Sequence, residues 1–371
     1  MSVSIINQPE IIQPVYSIQE YNLYDSANSG VEDLYYRLIV NIEGETRQIE
    51  QYPDVNGECK IDVQSILQSF FESNILTHSD FIVYNYSGLL SYDVSAYSIA
   101  NGTTYTIGGD TKYIFNGIDK YNRSFDLSTY IWDGGESEFL TNWSSSRDIH
   151  LEDDVYVQFL SGTFGSITSS INSIKVKKYN KDGTTNYRSI SLSFGTTPRI
   201  ISVNIGPTSL NNTLTGIAID ENVNYYEITA DGGNSLTYKI NIKSKDSRYD
   251  KYHRIYYVGD YGETEAFNFD LTDANSLTIK RTTYKNDNIL KTFGTSAQDK
   301  YEVYSNWMCE ETSKALKELW TSPKTELYLD DIYIPIILNE SSKRILNRKN
   351  VPLINYKVSY TYAESYIIQT Q

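Results

Sequence analysis

Short runs of alternating apolar and polar residues, cut at intervals of about 8 to 12 positions by turn formers, recur along the chain and leave little room for anything but a β fold. The clearest is Leu34–Ile42, where Leu34, Tyr36, Leu38, Val40 and Ile42 alternate onto one face, as in a half-buried strand. Glu43-Gly44 then turns the chain into Thr46–Tyr52, and Pro53-Asp54-Val55-Asn56-Gly57 is a second, denser turn. The same style continues in Tyr113-Ile114-Phe115, Val155–Leu160, Ile174–Tyr179 and Tyr187–Phe194. Asn180-Lys181-Asp182-Gly183 turns between the last two. Ser161–Ser173, small and polar, reads as a long loop.

Tyrosine supports this reading. The chain has 34 of them in 371 residues, so much of its apolar content sits in rings that favour strands and keep a polar tip. Such half-buried surface suits subunit contacts or ligand faces.

Two segments change period. After the candidate N-cap Asp62, residues Val63, Ile66, Leu67, Phe70 and Phe71 form one stripe of a short helix near 62–72. A longer helix is expected over Trp307–Trp320, with Glu310-Glu311 early, Lys314 and Lys317 late, and Pro323 as its stop. The predicted architecture is mainly β: tandem β-sandwich domains of immunoglobulin or fibronectin type with one short and one longer amphipathic helix. Three domains are expected: 1–108, a sandwich with the short helix; 109–197, a middle β domain with the Gly/Ser-rich loop; and 198–371, a β domain with the longer helix. The boundary near Gly195-Thr196-Thr197-Pro198 rests on small breakers between two strands.

Charge and motif content exclude several function classes. With Lys+Arg 32 against Asp+Glu 47, the net charge of −15 repels a polyanion, so sequence-independent nucleic-acid binding is not expected. Cys59 and Cys309 alone cannot build a disulfide framework or a four-cysteine zinc site, and two buried thiols are expected. His78, His150 and His253 lack a second ligand at metal spacing. Met1–Pro9 has neither a basic nor an apolar leader region, and Ile332–Leu338, the longest apolar run, is too short to span a bilayer, so neither a secretion signal nor a membrane partner is expected.

No Gly-x-Ser-x-Gly elbow, phosphate-binding loop or dinucleotide fingerprint occurs. Acids cluster at Asp133/Glu136/Glu138, Glu152-Asp153-Asp154 and Asp330-Asp331. A glycosidase would need two of them spaced around a sugar, and solvated turns are the plainer reading. The chain is therefore expected to be neither an enzyme nor the holder of a cofactor.

Two groups of residues stand out as contact candidates. Trp132 and Trp143, with Tyr130 and Phe139, can form a stacking platform for a glycan or a partner, or else pack in a core or interface. Lys343, Arg344, Arg348 and Lys349 make a basic stretch against the acidic background, either a contact loop or a solvated connection between strands.

The run Leu34–Phe71, with its Tyr-rich strand, Tyr52-Pro53-Asp54-x-Asn56-Gly57 turn and Ile61-Asp62-Val63-x-x-Ile66-Leu67 helix start, resembles the N-terminal sandwich of structural proteins in tailed phages of Bacteroidetes, crAss-like phages included. Arg254–Gly262 with Phe267-Asn268-Phe269, then Leu316–Pro323, Tyr333–Leu338 and Leu353–Tyr356, resemble the strand, turn, helix and terminal hairpin of the same proteins. The resemblance covers about half the chain, in two blocks at either end. It implies a virion component of the tail, tail hub, baseplate or neck, partnered by copies of itself and other virion proteins and assembled in the host cytoplasm. The alternative is a receptor- or glycan-binding tail protein acting through the aromatic loops of the middle region on a host-surface glycan.

Overall fold

The computed structural model describes the chain except residues 1–2, 77–79, 86–87, 119–124, 134–135, 144–145, 232–234, 244–251, 288, 340–353, 365 and 371. Strands make up 55 % and helices 9 %, so the protein is mainly β, with several sheets and few helices.

The alternation at Leu34–Ile42 produces the strand Tyr35–Ile42, buried at every second residue. It pairs with Glu45–Gln51 across a two-residue turn in which Glu43 and Gly44 both take positive φ, and on its other side with Leu89–Ala100. Thr103–Phe115 and Ile12–Pro14 complete this five-stranded sheet. Its apolar face shares a core with the three-stranded sheet of Val3–Asn7, Glu20–Asp25 and Glu58–Asp62, and Tyr21, Leu23, Tyr36, Leu38, Cys59, Ile61 and Val94 are buried between them.

A second core lies between two further sheets. One orders Ile167–Ser169, Tyr156–Phe164, Arg199–Asn204 and Ile82–Asn85. The other orders Ser146–Ile149, Tyr238–Ile242, Val223–Ala230, Ser173–Asn180 and Thr185–Ser191. Val157, Phe159, Ile174, Val176, Ile201, Tyr226 and Ile228 fill it.

The third core packs the C-terminal helices on an eight-stranded sheet. That sheet runs Thr264–Phe269, His253–Val258, Thr325–Leu329, Ile332–Leu338, Lys357–Tyr362, Ile289–Tyr304 and Leu271–Asn286, with Tyr366–Thr370 also on Ile289–Tyr304. Ile255, Tyr257, Phe269, Leu316, Leu319 and Tyr360 are buried there.

Pairing crosses both predicted boundaries. Thr103–Phe115 runs unbroken through Gly108-Gly109. Arg199–Asn204 joins Tyr156–Phe164 on one side and Ile82–Asn85 on the other, so one sheet draws on all three predicted segments.

Several local expectations change. Ser161–Ser173 is not a loop: Tyr156–Phe164 and Ile167–Ser169 form a hairpin there. Small residues are needed because Gly162, at φ +124°, lies under the 197–198 backbone, where a Cβ would stand 2.6 Å from Pro198 Cα. The longer helix is two short ones, Glu310–Ala315 and Lys317–Thr321. It starts late because Met308 exchanges two backbone hydrogen bonds of 2.8 Å with Ile354, which holds that end extended. The first helix is only Gln64–Gln68, and its N-cap is Val63 rather than Asp62: Asp62 ends the strand before it and accepts from Gln64 N at 2.9 Å without capping, while Val63, Leu67 and Phe71 are buried. A further helix, Pro207–Thr213, follows Gly206, and Pro207 suits its first turn. Cys59 is buried as expected, whereas Cys309 is exposed.

Candidate functional site

A cavity of about 520 Å³ opens where Ser146–Ile149, the edge strand of the second core's five-stranded sheet, faces Thr264–Phe269, the terminal strand of the eight-stranded sheet. Its volume is that of a small-molecule pocket. Trp143, His150, Arg254, Phe267, Asp270 and Trp307 line it. Trp307 is 66 % exposed, since the Met308–Ile354 bridge beside it keeps residue 307 out of the helix.

Three polar networks build the walls. In the first, Arg147 grips Glu265 with two bonds, Nη1 to Oε2 at 2.7 Å and Nη2 to Oε1 at 2.9 Å, while Thr141 Oγ1 donates to Glu265 Oε1 at 2.8 Å. The guanidinium also lies 4.8 Å over the Trp143 ring, which stacks on Phe267 at 6.1 Å. Burial pushes the Glu265 carboxyl up, against the pull of Arg147.

In the second network, Arg254 meets Asp153 Oδ2 at 3.0 Å, Asn268 Oδ1 at 2.8 Å and Tyr256 Oη at 3.0 Å, and donates to the Asp154 carbonyl. Asp153 also accepts from His150 N at 2.8 Å and from Tyr252 Oη at 3.0 Å. Although burial opposes the charge on Arg254, the Asp153 carboxylate beside it raises its pKa. An arginine inside a strand that is buried at all six positions is tolerable only with such partners.

In the third, His150 Nδ1 meets the Lys243 carbonyl and Nε2 meets Asp270 Oδ1, both at 3.3 Å, and the ring lies 4.5 Å from Tyr252. Burial would lower its pKa, but the bond to Asp270 and the charges of Asp153, Asp270 and Glu152 outweigh it and raise the value. With both ring nitrogens engaged, this imidazole is a strut rather than a base. The Cys309 thiol is 3.3 Å from Thr312 Oγ1, not against His150. Burial lowers the pKa of His253, whose ring meets the Tyr360 hydroxyl. Among the described residues no group of three His, Cys, Asp or Glu side chains is placed to hold a metal ion. Lys243 is paired with Asp148 at 3.2 Å. The cavity thus offers aromatic faces and closed ion pairs, an arrangement for contact with a neutral, polar ligand.

The four candidate aromatics are not brought together. Trp132 and Phe139, with ring centroids 5.3 Å apart, are both buried in the second core, where Phe139 also meets Tyr238. Tyr130 stacks on Phe125 and donates to the Tyr261 hydroxyl at 3.0 Å. Trp143 belongs to the third core and alone of the four reaches the cavity. A joint exposed platform is therefore replaced by core packing, because each ring finds an apolar neighbour inside. Lys343, Arg344, Arg348 and Lys349 lie outside the described residues. Arg147, His150, Glu265 and Asp270 were not singled out as site residues from the sequence. The available signal was weak: a charge inside an otherwise strand-like run, as at Arg254.

No protein-family model matches the chain, and a search of curated proteins finds no match.

Proposed function

We propose that this protein is a non-enzymatic structural component of a tailed-phage virion, of the tail, tail hub, baseplate or neck, whose paired sheets are tandem immunoglobulin- or fibronectin-like sandwiches meeting copies of themselves and other virion proteins. The observation that carries the assembly reading is the long hairpin of Leu271–Asn286 and Ile289–Tyr304. Its outer half holds Leu277, Ile279, Tyr284, Ile289, Leu290 and Phe293 exposed, with Leu290 at 72 %. A ribbon that leaves such side chains in water has them available for a partner surface. The sequence resemblance at both ends of the chain supplies the virion context. Peptide mass spectrometry of purified particles from a host culture carrying the gene tests it. The protein is expected among the stoichiometric virion proteins, and its absence from particles that are otherwise complete overturns the reading.

A glycan-binding role is favoured by one observation, the exposed Trp307 at the mouth of a cavity walled by the Trp143–Phe267 stack. Trp307→Ala is then expected to abolish signals on a glycan array at unchanged thermal stability. An array on which the unmodified protein binds nothing disposes of this role.

A further inference from the structure

The hairpin arm has a charge opposite to that of the body that carries it. Between Leu277 and Phe293 lie Lys280, Arg281, Lys285 and Lys291 against Asp287 alone, in a chain whose net charge is −15. None of these four cations forms an ion pair among the described residues. Among the described residues Tyr366–Thr370 pairs with the second arm strand only at Gly294–Ala297, and no third strand pairs with the arm from Thr283 to Thr292.

Both faces of that ribbon mix apolar and basic side chains. Leu277, Ile279, Arg281, Lys285 and Leu290 share one face by register, and Lys280, Tyr284, Ile289 and Lys291 the other. Phe293 is the extra residue of a bulge at Thr282/Thr283, a device that re-aims a side chain. The outer edge of Leu271–Asn286 is also the open end of the eight-stranded sheet. Lysine and arginine along such an edge discourage indiscriminate strand addition while leaving a specific acidic partner free to bind.

We propose that the arm is a connector between copies of this chain: its basic, apolar outer half docks on the acidic body of a second copy. This rests on the assembly reading above. A polyanion such as DNA would satisfy the cations, but its phosphates offer nothing to Ile279, Ile289, Leu290 and Phe293, whereas an acidic, tyrosine-rich protein surface satisfies both. Because arm and acceptor are different surfaces, the contact is head-to-tail, and it closes into a ring or runs on as a filament.

The test is sedimentation velocity of the full chain over a concentration series at low and high salt. The unmodified protein is compared with a charge-reversed arm, K280E/R281E/K285E/K291E, and with an apolar-to-polar arm, L290S/F293S. The unmodified protein is expected to associate, more weakly at high salt, and each variant to lose at least about tenfold in association constant. Unchanged thermal unfolding of both variants shows that the body is intact. Association that neither variant alters overturns the connector while leaving the assembly reading standing. An unmodified chain that stays monomeric, or that binds duplex DNA through the arm instead, also overturns it; the virion reading is decided separately by particle composition.

Discussion

Glu263 shows how the environment of one residue sets a property of the whole. Its carboxyl is enclosed by the Gly259–Gly262 turn, accepting from Tyr261 N at 2.8 Å through Oε2, while among the described residues Oε1 has no hydrogen-bond partner and the side chain is buried. Burial first, then the charges of Glu318 and Glu265, push its pKa well above the ordinary carboxyl value. A carboxyl raised in the folded state holds its proton there while the unfolded chain releases it. Its contribution to stability is therefore complete below the unfolded value and is lost as pH rises toward the folded one. Glu265 and His150 are raised too and act in the same direction. Stability is expected to fall between about pH 5 and pH 8, and Glu263→Gln, which keeps the shape without the ionisation, is expected to flatten that fall. Urea midpoints of both proteins at the two ends of the range check this. Equal slopes would mean that Glu263 is not the group responsible.

At the scale of elements, what the sequence disclosed followed from how local the cause was. Tyr35–Ile42, the turn at Glu43-Gly44 and the hairpin at Asn180–Gly183 are written in alternation and turn residues, and each formed where expected. The turn at Asp330-Asp331 formed as well, both residues at positive φ. Elements set by a distant neighbour were hidden. Tyr156–Phe164 is buried at eight of nine positions with its end disguised by Ser161, Gly162 and Thr163, and only the 196–199 segment lying over it explains the small residues. The break before Trp307–Met308 depends on Ile354, 46 positions later. In the arm, Leu271–Tyr304, threonines and charges mask the strand period, although β-branched Ile279, Thr282, Thr283 and Ile289 around Asn286-Asp287-Asn288 carry a hairpin signal. The cavity was the least visible feature, since its opposing strands are more than a hundred residues apart. Trp143 was its one member among the candidate site residues.

At the scale of the whole molecule, the turn Gly259-Asp260-Tyr261-Gly262 is where the parts lock. Ile118 N donates to the Asp260 carbonyl at 2.6 Å, Gln158 Nε2 to the Tyr261 carbonyl at 3.1 Å, and Asn142 Nδ2 bridges the Asp260 and Glu318 carboxylates. Gly262, at φ +74°, is pressed against the Asn116 carbonyl, leaving no room for a Cβ. The Arg147–Glu265 pair is the second lock, joining the second core's sheet to the third core's sheet across 118 positions. Its Arg147 and Glu265 side chains are 7 % and 0 % exposed, so removing one partner leaves the other buried without its counter-charge. Arg147→Met is expected to cost about 3 to 5 kcal/mol, whereas Arg147→Met with Glu265→Leu removes both charges and is expected to recover most of that loss. Urea unfolding of the two variants and of Glu265→Leu alone completes the cycle. If Arg147→Met costs no more than a surface pair, about 1 kcal/mol or less, the parts are held by the turn alone and the pair is incidental. A large cost recovered in the double variant makes the body one cooperative unit, the rigid base that an arm needs if it is to transmit position from one copy to the next.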